Sequence, residues 1–414
     1  MSQHKTTPKL RFQEFSTSWA LSKLGDFYSF KNGINADRDQ YGSGAKFINV
    51  LDVLQQFPIT YESIQGKVDV NEKVFDKNAV TKGDLLFQRS SETREDVGTS
   101  NVYISNEPVT FGGFVIRGKP KLPTNPLYMN YLLKSSKARK EITEKSGGST
   151  RYNVGQETLS AVNLYVSTDK QEQQKIADFL TAVDTKINQL TEKHRLLKEY
   201  KKGVMQQIFS QQLRFKDKDG KAFPEWEEKH FGEVFGRVTQ KNSVNNLNVL
   251  TISAQKGLIS QLEYFNKSVS AKDVSGYYLL RKGDFAYNKS YSQGYPMGAI
   301  KPLKFYDSGV VSTLYICFRP KKGFKEAYFE QFFDAGMLNR EIAKIAQEGA
   351  RNHGLLNVSV KEFFDDIKLL VPHQNEQQKI AQFLQALDSK IAAVSQQIEQ
   401  TKQFKKGLLQ QMFV

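Results

Sequence analysis

The sequence predicts an α+β protein built as a pseudo-twofold internal repeat. Two tandem mixed α/β domains are separated and followed by long helices that pair as an antiparallel coiled coil. Three observations carry this. The hexapeptide EQQKIA occurs at residues 172–177 and again at 376–381, 204 residues further on. Each copy opens a stretch with the apolar spacing of a coiled-coil helix. Each is preceded by a longer stretch of short apolar or alternating runs, broken by Gly, Asn, Ser and Asp, which is the pattern of short strands.

Residues 172–209 lie over 376–413 with 19 of 38 positions identical, so the chain contains a duplication. Neither copy contains Pro, and the only glycines, Gly203 and Gly407, stand near the ends. Each copy is therefore predicted as one helix. The first seam is Ile176, Leu180, Val183, Ile187, Leu190, His194 and Leu197. The second is Ile380, Leu384, Leu387, Ile391, Val394, Ile398 and Thr401. The alternating steps of four and three give the 3.5-residue period, and a lone helix would leave such a stripe in water, so the two helices pack on each other. His194 stands where the second copy has Ile398 and is read as a packed or rim residue rather than a catalytic one. A helix of this length spans about 57 Å, roughly seventeen base pairs of duplex.

The duplication extends beyond the helices. LRF recurs at 10–12 and 213–215. Trp19 and Trp226 each precede a glycine, Gly25 and Gly232, by six residues. KGD recurs at 82–84 and 282–284, and Asn153-Val154 pairs with Asn357-Val358. The resulting division is 1–168, first domain; 169–210, first helix; 211–372, second domain; 373–414, second helix. Between these markers the middles, about 25–167 and 232–372, diverge. Parts with a shared structural task stay alike, whereas parts that read different targets change.

Both middles read as mixed, mostly β. Strand signals in the first are KFINVLDVL, GDLLFQRS, NVYIS and FGGFVIRG. Those in the second are NVLTIS, GDFAYNKS, GVVSTLYICFRP and DDIKLLVP. A helix is predicted in each, over 126–142 and 326–346.

Lys+Arg 59 against Asp+Glu 44 gives a net charge of +15. The charge is spread: the chain is +7 up to Phe209 and +8 after it. Either both halves meet a polyanion or the protein is merely basic. At 39% apolar and 25% charged the composition is that of a soluble globular protein. No run of eighteen apolar residues and no signal-peptide core are present. The single cysteine, Cys317, excludes an internal disulfide framework and a cysteine-rich zinc site. The expected compartment is the cytoplasm, at the nucleoid.

The candidate contact residues lie at strand ends and in glycine-rich loops. After KGDLLF come Gln88, Arg89 and Ser90; after KGDFAY come Asn288, Lys289 and Ser290. At offset 200 the copies match amide to amide, cation to cation and hydroxyl to hydroxyl. Gln and Asn suit bidentate pairing to adenine, Arg and Lys suit guanine or phosphate, and Ser suits phosphate. Ser91 and Arg94 extend the first group; Tyr291, Ser292, Gln293 and Tyr295 extend the second. A further pair of loops carries Ser149, Thr150, Arg151 and Tyr152 in one copy, and Arg351, Asn352 and His353 in the other. Glycine there lets backbone approach a phosphate closely. The entry loops contribute Lys31 and Asn32, and Gln240, Lys241 and Asn242. Ordinary polar connectors are the alternative reading of all these segments.

Catalytic patterns are missing. There is no GxxxxGK[ST] phosphate loop. The run 125–128, NPLY, half-matches an adenine-methyltransferase signature but lacks its second proline, and it reads as a helix start with Pro in the first turn. The glycine pair at 41–47 is too short a signal for a nucleotide loop. His4, His194, His230, His353 and His373 show no metal spacing, and the carboxylates form no nuclease-type cluster.

With these residues in view, the chain resembles the specificity subunits of type I restriction–modification systems. The carrying residues are the helices opening with EQQKIA and ending in KKGVMQQIF and KKGLLQQMF, the run 357–384, and the starts PKLRF…Trp19 and LRFKDKDGKAFPEW. The likeness covers nearly the whole chain, strongly in the helices and weakly in the middles. It implies two target recognition domains, each reading one half of a split, asymmetric duplex site. It implies a coiled coil that fixes the gap and docks two methyltransferase subunits, with translocase–nuclease subunits joining for restriction. No catalysis or cofactor belongs to this chain on that reading; S-adenosylmethionine, ATP and Mg belong to the partners. The first helix is preceded by STDKQ where the second has VPHQN, and the missing proline implies a looser first hinge. The rival readings are a fused methyltransferase or nuclease, a coiled-coil adaptor that reads no DNA, and an RNA binder.

Overall fold

The computed structural model describes residues 7–265, 273–346 and 356–414. It divides into two compact units, Met1–Glu192 with Val394–Val414, and Lys193–Ala393. The long helices run Lys170–Phe209 and Gln374–Gln411, so each unit contains the first part of one helix and the last part of the other.

The EQQ repeats have a structural purpose visible in each unit. In the first, Glu172 is fully buried. Arg11 of the LRF motif grips it from Nε and Nη2 at 2.6 and 2.9 Å, and the Trp19 indole donates to it at 3.0 Å. In the second unit Arg214 grips Glu376 at 3.2 and 3.0 Å, and Trp226 donates to it at 3.2 Å. A buried charge is tolerable only when paired and hydrogen-bonded like this. The next residue also repeats. Gln173 donates to the Ser167 carbonyl and accepts from the Asn125 N–H; Gln377 donates to the Pro372 carbonyl and accepts from the Lys325 N–H. LRF, Trp and EQQ, far apart in sequence, thus form one clamp at the start of each long helix.

Helix pairing is antiparallel within each unit. In the first, Lys405 bonds Asp184 at 2.6 Å, while Phe413 lies edge-on to Trp19, beside Glu172. In the second, Lys201 bonds Asp388 at 2.6 Å, while Phe209 packs on Tyr328, which also contacts Trp226. The two ion pairs are related by the 204-residue offset. Ile176, Leu180, Val183, Ile187, Leu190, Ile380, Leu384, Leu387 and Val394 are buried. His194, Leu197, Ile391, Ile398 and Thr401 are half-buried. Burial and the Lys198 charge hold the His194 imidazole below its ordinary value.

Each unit has a four-stranded antiparallel sheet. In the first, Tyr28–Asn32, Val115–Pro120, Leu85–Gln88 and Ser100–Val102 are neighbours in that order. In the second, the order is Phe235–Arg237, Ile316–Pro320, Phe285–Asn288 and Ala299–Pro302. KGD is the tight turn into the third strand of each. Gly83 and Gly283 hold φ of +93° and +89°, which side chains resist. Asp84 and Asp284 then accept from the N–H groups of Thr81 and Arg281.

Some predicted elements are divided. The run KFINVLDVL is a strand, Tyr41–Ile48, and then a short helix, Val50–Leu54. Asn49 caps that helix by accepting from Leu51 and Asp52, and Asp52 returns a bond to the Asn49 N–H. The helix over 126–142 is two, Pro126–Lys134 and Ser136–Lys145, because Ser135 ends one and its hydroxyl caps the other. The helix over 326–346 is also two, Glu326–Asp334 and Asn339–Ile345, parted by a turn through Gly336 at φ +73°. The run GVVSTLYICFRP is two strands, Ser308–Val311 and Ile316–Pro320. NPLY is a helix start, with Asn125 accepting from the Tyr128 N–H and Pro126 in the first turn.

The first hinge differs from its expectation. Ser167 stands at the place of Pro372, donates its N–H to the Tyr128 hydroxyl and its own hydroxyl to Glu172. Pro372 has no N–H, and the buried Tyr328 hydroxyl has no hydrogen-bond partner among the described residues. The junction without proline is the more heavily bonded one.

Three stability measurements check this account. Arg11→Ala strands the Glu172 carboxylate and lowers unfolding free energy by about 3–5 kcal/mol in urea titration, whereas Arg11→Met with Glu172→Gln costs less. Tyr128→Phe leaves the Ser167 N–H unpaired and costs about 1–3 kcal/mol; Tyr328→Phe is neutral or stabilising. Lys134 lies beside the Asp184–Lys405 pair. Burial, then the Lys405 charge, push its ammonium down to about 8 against the opposing pull of Asp184. The unfolded chain keeps this proton up to about 10.5. More protons are then bound in the unfolded state between these values, so stability rises with pH across that window. Lys134→Met removes that rise.

Candidate nucleic-acid interface

The register of the four-stranded sheets decides which candidate residues meet. In the first unit Asn32 is opposite Ile116, Gln88 opposite Val115, and Phe87 opposite Ser100. The loops leaving Asn32 and Gln88 therefore lie at one sheet end. The second unit repeats this, with Arg237 opposite Phe318, Tyr287 opposite Ile316, and Asn288 opposite Ala299. The loops bearing Gln240 and Lys289 share the corresponding end.

The glycine-rich loop joins this end in the first unit. Strand Ser90–Ser91 pairs with Tyr152–Asn153, setting Ser91 against Tyr152, and the Ser90 hydroxyl donates to the Asn153 side-chain Oδ1. Arg89 accepts at its carbonyl from the Val154 N–H and donates from Nη1 to Gly113 at 3.2 Å. Arg94 donates to the Thr143 carbonyl at 3.1 Å. Ser149, Thr150 and Arg151 are exposed, and no side-chain bond holds the Arg151 guanidinium among the described residues. Two segments about sixty residues apart thus present Arg89, Ser91, Arg94, Arg151 and Tyr152 together.

The second unit presents a different set. Asn288 accepts from the Ser290 N–H, Lys289 is half-buried, and its carbonyl accepts from Leu356 at 3.0 Å. Ser292 and Tyr295 close a turn that leaves Tyr291 65% exposed and Gln293 in solvent. The Tyr295 hydroxyl is engaged by Lys301 at 2.9 Å, beside Asp334, so this residue anchors the turn. Arg351, Asn352 and His353 lie outside the described residues.

Some candidates are spent internally. Gln88 is 6% exposed and donates to the Ser90 carbonyl. Asn242 is 4% exposed, and its amide joins Asn246 to Val274. Neither is a surface amide: Gln88 ends its strand pointing inward, and Asn242, in the loop beyond Arg237, has its amide bonded within its own domain. Lys241 bonds the Gly276 carbonyl at 2.7 Å and lies over the Tyr278 ring. Lys31 donates to the Lys77 carbonyl at 2.6 Å; burial, then Arg117 and Lys77, lower its pKa. Lys31, Lys73 and Lys77 line one cleft. The last two escaped sequence reasoning because nothing local ties a short helix at 72–77 to a strand forty residues earlier.

A family described as the type I restriction modification DNA specificity domain matches residues 17–198 and 224–403. The chain belongs to that family. It carries two specificity domains in tandem, one in each repeat. It is 22% identical over 427 aligned positions to a chain of Methanocaldococcus jannaschii assigned as the specificity subunit of the type I restriction enzyme MjaX, covering 97% of this chain and 94% of that one. Its fold is similar to the S subunit of a type I restriction–modification system from M. genitalium, with a TM-score of 0.58 at 15% identity over 99% of each chain. It is also similar to a chain from a structure of type I restriction–modification complex assembly, with a TM-score of 0.52 at 14% identity over 94% of this chain and 96% of that one. No helix among the described residues is long and apolar enough to cross a membrane.

The specificity domains give a graded expectation. Arg151→Ala removes an exposed cation, weakens binding evenly across sequences and lowers the salt slope of binding by about 1. Arg89→Ala and Lys289→Ala each cost about 1–3 kcal/mol at the cognate site and relax one half of it. Fluorescence titration at several salt concentrations separates the two effects.

Proposed function

We propose that this chain is the sequence-reading, non-catalytic subunit of a type I restriction–modification complex and recognises a split, asymmetric duplex site. Each specificity domain reads one half. The paired long helices fix the gap and dock two methyltransferase subunits, and translocase–nuclease subunits join for cleavage. The observation that carries this is one frame used twice with different faces. The clamp, the helix pairing and the four-stranded sheet repeat, while the sheet ends carry Arg89, Arg94 and Arg151 in one copy and Lys289, Tyr291 and Gln293 in the other. A repeated frame with unlike contact residues is what reading two unlike half-sites requires.

On this reading S-adenosylmethionine, ATP and Mg act in the partner subunits, and the complex works on DNA in the cytoplasm. The chain's own residues bind and orient the duplex. Phosphate contacts from lysines and arginines set the register, and side chains at the sheet ends discriminate bases.

The test is co-expression with the methyltransferase subunit, followed by mapping of modified adenines across host DNA. The expected result is one two-part motif with a fixed gap, lost when either protein is omitted. A stable complex with no modification supports a coiled-coil adaptor instead, and modification by this chain alone means that it is an enzyme.

A further inference from the structure

At offset 200 both units place a large, exposed apolar side chain in the turn just before the second sheet strand. The registers make Phe87–Ile116 equivalent to Tyr287–Ile316, so Phe114 corresponds to Leu314. Phe114 is 64% exposed and Leu314 66% exposed. Single exposed apolar residues are ordinary on a protein surface. Two at one topological position, in domains whose surfaces have otherwise diverged, call for a shared cause.

The first tip is held firmly. Gly113 donates to Ile34 at 2.8 Å and Val115 to Gly112 at 2.9 Å. The Arg89 N–H donates to the Phe114 carbonyl at 2.9 Å, and the Arg89 guanidinium to Gly113. A Cβ on Gly113 would stand 1.9 Å from the Asn35 Oδ1, so a larger residue there has to displace the Asn35 side chain. Phe114 is therefore aimed by its backbone and carried beside a cation. It walls an open apolar cleft with Ile34, Tyr41, Phe47 and Leu51. The second tip is a turn on Ser312, which accepts at its hydroxyl from Leu314 and at its carbonyl from Tyr315. At offset 200 from Arg89 stands Lys289, on the loop leaving the neighbouring strand Phe285–Asn288.

We infer that Phe114 and Leu314 are the apolar base contacts of the two half-sites, each packing on base edges while Arg89 or Lys289 engages the same stretch of the polyanion. This rests on the function proposed above. An apolar side chain pressed into a groove discriminates by the thymine methyl and by how readily a step unstacks. The adjacent cation adds attraction to the backbone and, where it reaches a guanine edge, discrimination of its own.

The experiment uses the full chain co-expressed with the methyltransferase subunit, with modified sites mapped and initial modification rates compared. The variants are Phe114→Ala, Phe114→Leu and Leu314→Ala. Phe114→Ala is expected to slow modification about tenfold, or to relax one position, in one half-site only. Leu314→Ala is expected to do the same in the other half, and Phe114→Leu to keep most of the rate. The gap and the melting temperature stay as in the wild type. Unchanged motif and rate in both alanine variants overturn the inference while leaving the function standing. A loss spread over both halves, or a lowered melting temperature, also overturns it. A wild-type complex that yields no two-part motif overturns the function itself.

Discussion

Everything in each unit is referred to one buried carboxylate. Glu172 and Glu376 have no access to water, and each is made tolerable by an arginine and an indole from a segment about 150 to 160 residues earlier. The pairing fixes where the N-terminal segment lies, where the long helix begins and, through the adjacent glutamine, where the domain's own helix starts. Replacing such a node with apolar side chains need not cost stability, but breaking half of it does. Its value is positional: it makes the start of the helix and the body of the domain a single object.

The parts of this frame that were legible in the sequence share one property. The long helices show because their period is local and sustained over about six turns. NPLY shows because a cap and a first-turn proline are neighbours in the chain. What was hidden was non-local. Nothing in KFINVLDVL says that Asn49 caps a helix, and nothing in either loop says that Ser91 will pair with Tyr152. At the candidate site, residue type did not tell direction. Gln88 and Asn242 are amides that face inward, because whether a side chain meets solvent is set by packing partners distant in the chain.

The two copies also differ in ways that a duplicated frame tolerates. Lys134 in one unit is replaced 200 residues later by Asp334, which bonds Lys301 and Tyr295. Ser167 is replaced by Pro372, at the expense of one unpaired hydroxyl. The second exchange touches the clamp itself, since Ser167 also bonds Glu172. In both, a change of partner alters local bonding while the two four-stranded sheets keep one arrangement.

The division of the helices has a consequence for assembly in time. The second unit is a continuous stretch, Lys193–Ala393, and all its core residues are present once that stretch exists. The first unit is made first but needs Leu408, Met412 and Phe413 beside Trp19 and Tyr128 to complete its core. Its closing contacts span nearly four hundred residues, the kind of separation that slows folding most. Order of synthesis and order of completion are therefore reversed, and the domain that begins the chain is the last to become whole.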